Sequence, residues 1–243
     1  MKFNLANTQI PHKIADRIIE SVVEIRFDSP WPTDQVADNL FLEFCTKLKY
    51  LPGKDLPVKS FPADIREKDP QIKYLPTKEL TKDGILLLIG GHVVALVNRK
   101  PYLGWEHLSK EINDIADRLK SIGLIEGYQR LGVRYVNFFD SNILKNTNLQ
   151  IGFLGEQVID SKINLHFIVD NNPPFVADVR ITNNARIVDE GKSLEGSLVD
   201  IDVYFKDHFE VSKLAELARE SHDLEKKIFF HLLKKEFIDS LNP

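Results

Sequence analysis

Ten polar side chains recur at alternate or near-alternate positions of five apolar-rich stretches: Glu24 and Arg26, Arg130 and Arg134, Asn164 and His166, Asp178 and Arg180, Asp200 and Asp202. A period of two places such residues on one face of a β-strand, so five stretches that share a sheet would present them on one surface. Carboxylates on that surface can hold a divalent cation and guanidinium groups can hold phosphates. They can equally neutralise one another across strands. Arg26 and Arg134 lie on strands that each open one half of the chain, which predicts that they sit close together with Glu24, Asp200 and Asp202 between their like charges. Glu24, Arg26, Arg134, Asp200 and Asp202 are therefore the candidate binding face. The expectation is a solvated face laced with weak ion pairs; the sharper alternative is a concave groove for a partner protein or a polyanion.

Other chemistries find little support. Cys45 lies on the apolar stripe of a helix and reads as a buried, inert thiol. His222 and His231 are nine residues apart on one helix and point to opposite faces, so they cannot share a metal. Gly90-Gly91 and Gly152 to Gly155 lack the Lys-Ser or Lys-Thr of a phosphate loop, and no Gly-x-Ser-x-Gly occurs. No catalytic residue, metal ligand set or cofactor is expected. Residues 47–82 hold nine Lys or Arg against five Asp or Glu, with Tyr50, Phe61 and Tyr74 interleaved, a pattern that suits single-stranded nucleic acid but better suits a solvated, proline-broken loop. Tyr102 and Trp105 read as the anchor that docks a helix on the sheet.

The elements that must position these residues are legible in the periodicity. Ser21–Asp28 alternates as a strand. Thr33 is a plausible N-cap for a helix carrying Val36, Leu40, Phe44 and Leu48, which ends at Pro52-Gly53. Five of the twelve prolines fall between 52 and 76, which predicts short edge strands or irregular crossings there. Gly90-Gly91 reads as a hairpin turn inside 84–97. Trp105 to Ile122 forms one apolar helical stripe that stops at Gly123. Strands are expected at 128–139, 163–169, 175–181 and 198–205, with Asn171 to Pro174 as a turn. The last segment, Val211 to Leu241, reads as one helix that would be roughly 45 Å long, so it either breaks or projects. Its six basic and six acidic residues suit core packing or helix-mediated dimerisation better than a membrane surface.

The fold class follows as α+β: an antiparallel sheet, in one piece or as two pseudo-symmetric half-sheets, with amphipathic helices on one face and a long C-terminal helix. One domain over 1–243 is expected, with structural halves 12–127 and 128–243. The formal charge of −4 argues against a general nucleic-acid or anionic-membrane coat, and the single cysteine suits a reducing cytoplasm. Met1 to Pro11 lacks the apolar core of a signal peptide, and the longest apolar run, Ile85 to Ile89, falls far short of the roughly 20 residues a bilayer requires.

Five phrases occur in a recognisable order: Val23 to Phe27, the Tyr-x-Gly-Trp-Glu run of Tyr102 to Glu106, the Arg-x-Gly-x-Arg-Tyr-x-Asn run of Arg130 to Asn137, Asp200 to Tyr204, and His222 followed by Phe229. Together they resemble a family of sporadically distributed, presumed mobile, uncharacterised prokaryotic proteins of about 250 residues. That resemblance implies a gene-exchange setting, such as defence islands or toxin and antitoxin pairs, and no chemistry. The charge alternation is also similar to tunnel-shaped phosphohydrolases. Their Glu-x-Glu-x-Lys entry motif is replaced here by Val22-x-Glu24-x-Arg26, one acid where a metal needs two.

The expectation for function is a non-catalytic cytosolic interaction protein with a protein partner, a partner or regulatory subunit of a mobile defence or toxin-antitoxin operon, and a homodimer. A metal-dependent phosphohydrolase or nucleotide-handling enzyme ranks second and nucleic-acid binding through 47–82 third. An enclosed barrel with Glu24, Asp200 and Asp202 converging would favour the enzyme; an open sheet would favour the binding protein.

Overall fold

Alternation builds the centre of the molecule. In β1 (Ile18–Asp28), Val23, Ile25 and Phe27 turn inward while Val22, Glu24 and Arg26 turn to the opposite face. The structure is a computed structural model that describes residues 16–189 and 191–241, together with 5, 8, 10 and 11. Most of Met1 to Pro11, read above as lacking a signal peptide, lies outside the described residues.

After β1 come α1 (Thr33–Lys47), β2 (Leu51–Asp55), α2 (Ala63–Lys68), β3 (Lys78–Lys82), β4 (Ile85–Ile89), β5 (Val93–Arg99) and α3 (Trp105–Ile122). The second half holds β6 (Gly127–Phe139), the short β7 (Gly152–Phe153) and β8 (Glu156–Gln157), β9 (Asn164–Asn172), β10 (Phe175–Asp189), β11 (Lys192–Phe205), α4 (Leu214–Leu232) and α5 (Lys235–Ser240). Among the described residues, nine strands form one sheet in the order β2-β3-β4-β5-β1-β6-β11-β10-β9, and every neighbouring pair is antiparallel. Leaving out β2, each half opens with the central strand (β1 or β6), continues through a three-stranded meander whose last strand returns to pair with the opener, and closes with a helix. The two half-sheets join along β1–β6.

The helices cover one face. Leu40 and Phe44 of α1, Leu108 and Ile115 of α3, and Leu214 and Phe229 of α4 pack with the inward residues of β1, β6 and β11 into one contiguous core. Gly123 ends α3 in the left-handed conformation (φ 66°) that glycine adopts without Cβ strain. No helix among the described residues is long and apolar enough to cross a membrane.

Two expectations are corrected. Pro32 occupies the cap position of α1, and Thr33 is the first helical residue, buried against Gly91. The hairpin of β10 and β11 runs well past the expected strand ends, to Asp189 and from Lys192. A register shift between Thr182 and Ala185 bends it, and Gly196 lies where a Cβ would fall 2.0 Å from the Phe139 carbonyl oxygen. Lys100, just beyond β5, forms a 2.7 Å ion pair with Asp189, so this arm reaches the other half-sheet.

Of the two alternatives for the last segment, the structure takes the break, which leaves α4 as the long C-terminal helix. The segment breaks at Leu233, which adopts extended geometry and forms a β-bridge with Thr147. The Asn148 side-chain amide donates to the His231 and Leu233 carbonyls at 2.9 and 3.0 Å, and the Lys234 N–H donates to Asn146. A distant loop thus supplies the partners that the helix end gives up. Asn148→Ala is expected to lower stability by about 1 kcal/mol and to loosen α5, read as faster amide exchange confined to 233–241.

Candidate functional site

The five residues expected to form a binding face do share a surface, opposite the helices. Glu24, Arg26, Arg134, Asp200 and Asp202 line one concavity of about 210 Å³, joined by Arg130, Asp178 and Arg180. β1, β6, β11 and β10 contribute them as adjacent strands, which is why residues far apart in sequence meet.

Their pairing differs in one respect from expectation. Arg26 stands opposite Arg130 across β1–β6, whereas Arg134 stands opposite Val22. Glu24 lies between the first two guanidinium groups: its Oε1 accepts from Arg26 Nε at 2.7 Å and from Arg130 Nη1 at 2.6 Å. Arg130 Nη2 donates to Asp202 at 2.7 Å, and its guanidinium lies 4.5 Å from the centre of the Tyr204 ring. Gly132 makes this possible, because a Cβ there would fall 2.6 Å from Arg130 Nη1. Arg134 grips Asp200 with two bonds of 2.7 Å, and Arg180 and His166 hold Asp178 at 3.0 and 3.1 Å. Arg26 ends against Tyr74, 4.8 Å from the ring centre.

The five candidate side chains and Arg130 are 15 to 38% exposed. Burial raises the Asp202 carboxyl above its ordinary value and Glu24 adds to the rise, while Arg130 opposes both. Asp200 holds the Arg134 guanidinium more firmly protonated. Four arginines face four carboxylates, so the formal charges lining the concavity sum to zero.

Against the criterion set by the sequence, the sheet is open: β2 and β9 are its two edges and do not pair with each other. Among the described residues no three His, Cys, Asp or Glu side chains come together as metal ligands. No family model matches the chain, and no curated protein matches it. What the surface can do chemically is read from its own geometry. Its carboxylates already accept from guanidinium groups, and its arginines already donate to carboxylates.

Of the three aromatic side chains interleaved in residues 47–82, Phe61 alone is exposed. Tyr50 is buried, donating to Glu111 at 2.9 Å, and Tyr74 is covered by Arg26 and Lys73. Lys59 and Arg66 pair with Asp34, Lys78 with Asp38 and Asp55, and Lys82 with Glu111.

A second cluster, which periodicity did not single out, lies on the helix side. Trp105, expected with Tyr102 to dock α3 on the sheet, is half-buried against the core and also stacks on His222 of α4, with ring centres 4.1 Å apart and planes 8° from parallel. The Tyr135 hydroxyl lies 3.0 Å from His222 Nδ1 and 3.1 Å from the Tyr102 hydroxyl. Burial drives His222 down to about 4 and Tyr102 up to about 12. Glu225, one helical turn from His222, is fully buried, its carboxyl raised well above the usual carboxylate range, and its Oε1 has no hydrogen-bond partner. The sequence signal was the close-approach stripe Ala218, Ser221, Glu225, Phe229, in which small residues mark the side of α4 nearest the sheet.

Proposed function

We propose that the chain is a non-catalytic interaction protein that engages a protein partner on the concave charged face of its sheet. One observation carries this reading: the face is open and preorganised, yet its four acids and four arginines neutralise one another. A divalent cation would have to displace arginines from its carboxylate ligands, and a polyanion meets no surplus positive charge. A protein surface with its own alternating charges can exchange partners with such a lattice at little net cost, and the pairing fixes register. The same reading places the protein in the cytoplasm, as the partner or regulatory subunit of a mobile defence or toxin-antitoxin operon, in keeping with the family resemblance. The homodimer expected from the last helix belongs to the reading as well, with light scattering at micromolar concentration as its check.

The test is Arg26→Ala combined with Arg134→Ala. Arg130 stays on Glu24 in this variant, so the fold is expected to persist with a loss of about 1 to 2 kcal/mol. Affinity capture from the native host, quantified by mass spectrometry against wild type, is expected to lose a specific partner by an order of magnitude. Unchanged capture by a folded double variant would overturn the reading.

A further inference from the structure

On the opposite side of the sheet, a cavity of about 370 Å³ opens between α3, α4 and the starts of β1 and the 100–105 loop. Tyr102, Trp105 and Phe229 give it flat apolar walls, and Arg17, Glu225 and Lys226 give it polar ones. The chain Tyr102–Tyr135–His222 satisfies its own hydrogen bonds. Two other groups do not. Arg17 and Glu225 both line the cavity, and Arg17 Nε and Glu225 Oε1 are buried without a hydrogen-bond partner. Buried polar groups are rarely left so, and each costs about 1 to 3 kcal/mol where it is.

We infer that this cavity binds a planar aromatic monocarboxylate, with its ring against Trp105 and its carboxylate between Arg17 Nε–H and the acid group of Glu225. The walls select a flat ring, because Trp105 has its indole plane fixed by the stack with His222. The charge selects an anion. Arg17 and Lys226 form no ion pair among the described residues, Asp16 stands at the rim, and burial disfavours the charged forms of both Glu225 and His222. The two cations thus lack a counter-ion inside the cavity. A carboxylate supplies that counter-charge, accepts from the orphaned Arg17 N–H and accepts the proton of Glu225. An ammonium would sit beside two cations and would need Glu225 ionised in a buried site. The inference does not rest on the charged face, which lies across the sheet.

Calorimetry on the full chain at pH 7 with three near-isosteric probes tests it: 2-naphthoate, 2-naphthamide and 2-naphthylmethylammonium. Naphthoate is expected to bind at least tenfold more tightly than either other probe. Glu225→Gln, which keeps a neutral donor, is expected to hold naphthoate within about threefold of wild type. Arg17→Gln is expected to weaken it at least tenfold. Arg17→Lys, which keeps the charge but not the Nε–H, is the second variant should the first not fold, and a tenfold loss is expected there too. Tightest binding by the ammonium with loss in Glu225→Gln, or no binding by any of the three probes, would overturn the inference.

Discussion

Arg130→Ala is expected to remove about 3 kcal/mol of stability, more than any other single change on the charged face. Arg130 lies on β6 at the middle of the sheet and donates to Glu24 on β1 and Asp202 on β11, so one guanidinium ties three strands. Its side chain is 16% exposed. Removing it leaves two half-buried carboxylates facing each other, one of which is already raised by burial. The cost of an uncompensated charge dominates, because the lost Coulomb attraction was itself offset by desolvation. Arg130→Lys is expected to recover less than half, since an ammonium cannot fork to both acids while lying over Tyr204. Urea titration gives the magnitude. Its pH dependence gives the cause: a carboxyl raised in the folded state loses stability as pH rises, so the deficit of Arg130→Ala should shrink as pH falls toward 5. A deficit independent of pH would assign the loss to packing on Tyr204.

The second large effect is acid sensitivity at His222. Its folded value near 4 lies below the ordinary 6.5, so the folded state favours the neutral ring. The corresponding stability is fully present above 6.5 and is lost as pH falls through about 4, by about 3 kcal/mol at most. Burial between Trp105 and Tyr135 is the main cause, and Lys226 one turn along α4 adds to it; Arg17 and Glu225 line the same cavity. His222→Phe keeps a flat ring on Trp105 and cannot titrate, so its stability should fall less than wild type between pH 7 and 4. Parallel curves for the two proteins would refute the assignment. Glu225 acts in the opposite sense, since its raised carboxyl loses stability as pH rises above the unfolded value near 4.5. Glu225→Gln should therefore flatten the alkaline side.

Regular elements with a one-sided environment were readable from the sequence. Val23, Ile25 and Phe27 alternate because β1 has one covered face, and the stripe from Leu108 to Leu119 repeats because α3 has one buried side. The arm of β10 and β11 was not readable beyond Ile181, because Asn183, Arg186 and Glu195 leave the core and lose the alternation that burial imposes. The position of the break, Leu233, was hidden for a different reason: no glycine or proline marks it, and the carbonyls it frees are met by Asn148, more than eighty residues earlier. The charged face was legible because its members lie on alternating strands. The cleft was not, since Arg17, Tyr102, Trp105, Tyr135 and Glu225 come from separate elements with no common spacing.

The mirrored strand order also bears on how the chain is made. Residues 18–99 contain every partner that β2 to β5 require, so this half of the sheet can assemble on the ribosome before β6 has been synthesised. At that stage β1, eleven residues long, has a ladder on one side only. Its other edge is bare until a strand about a hundred residues downstream emerges to cover it, and closing so long a loop is slow. A nascent or truncated chain ending before Gly127 therefore displays an unpaired edge along the central strand of the sheet, ready to pair with the same strand of another copy.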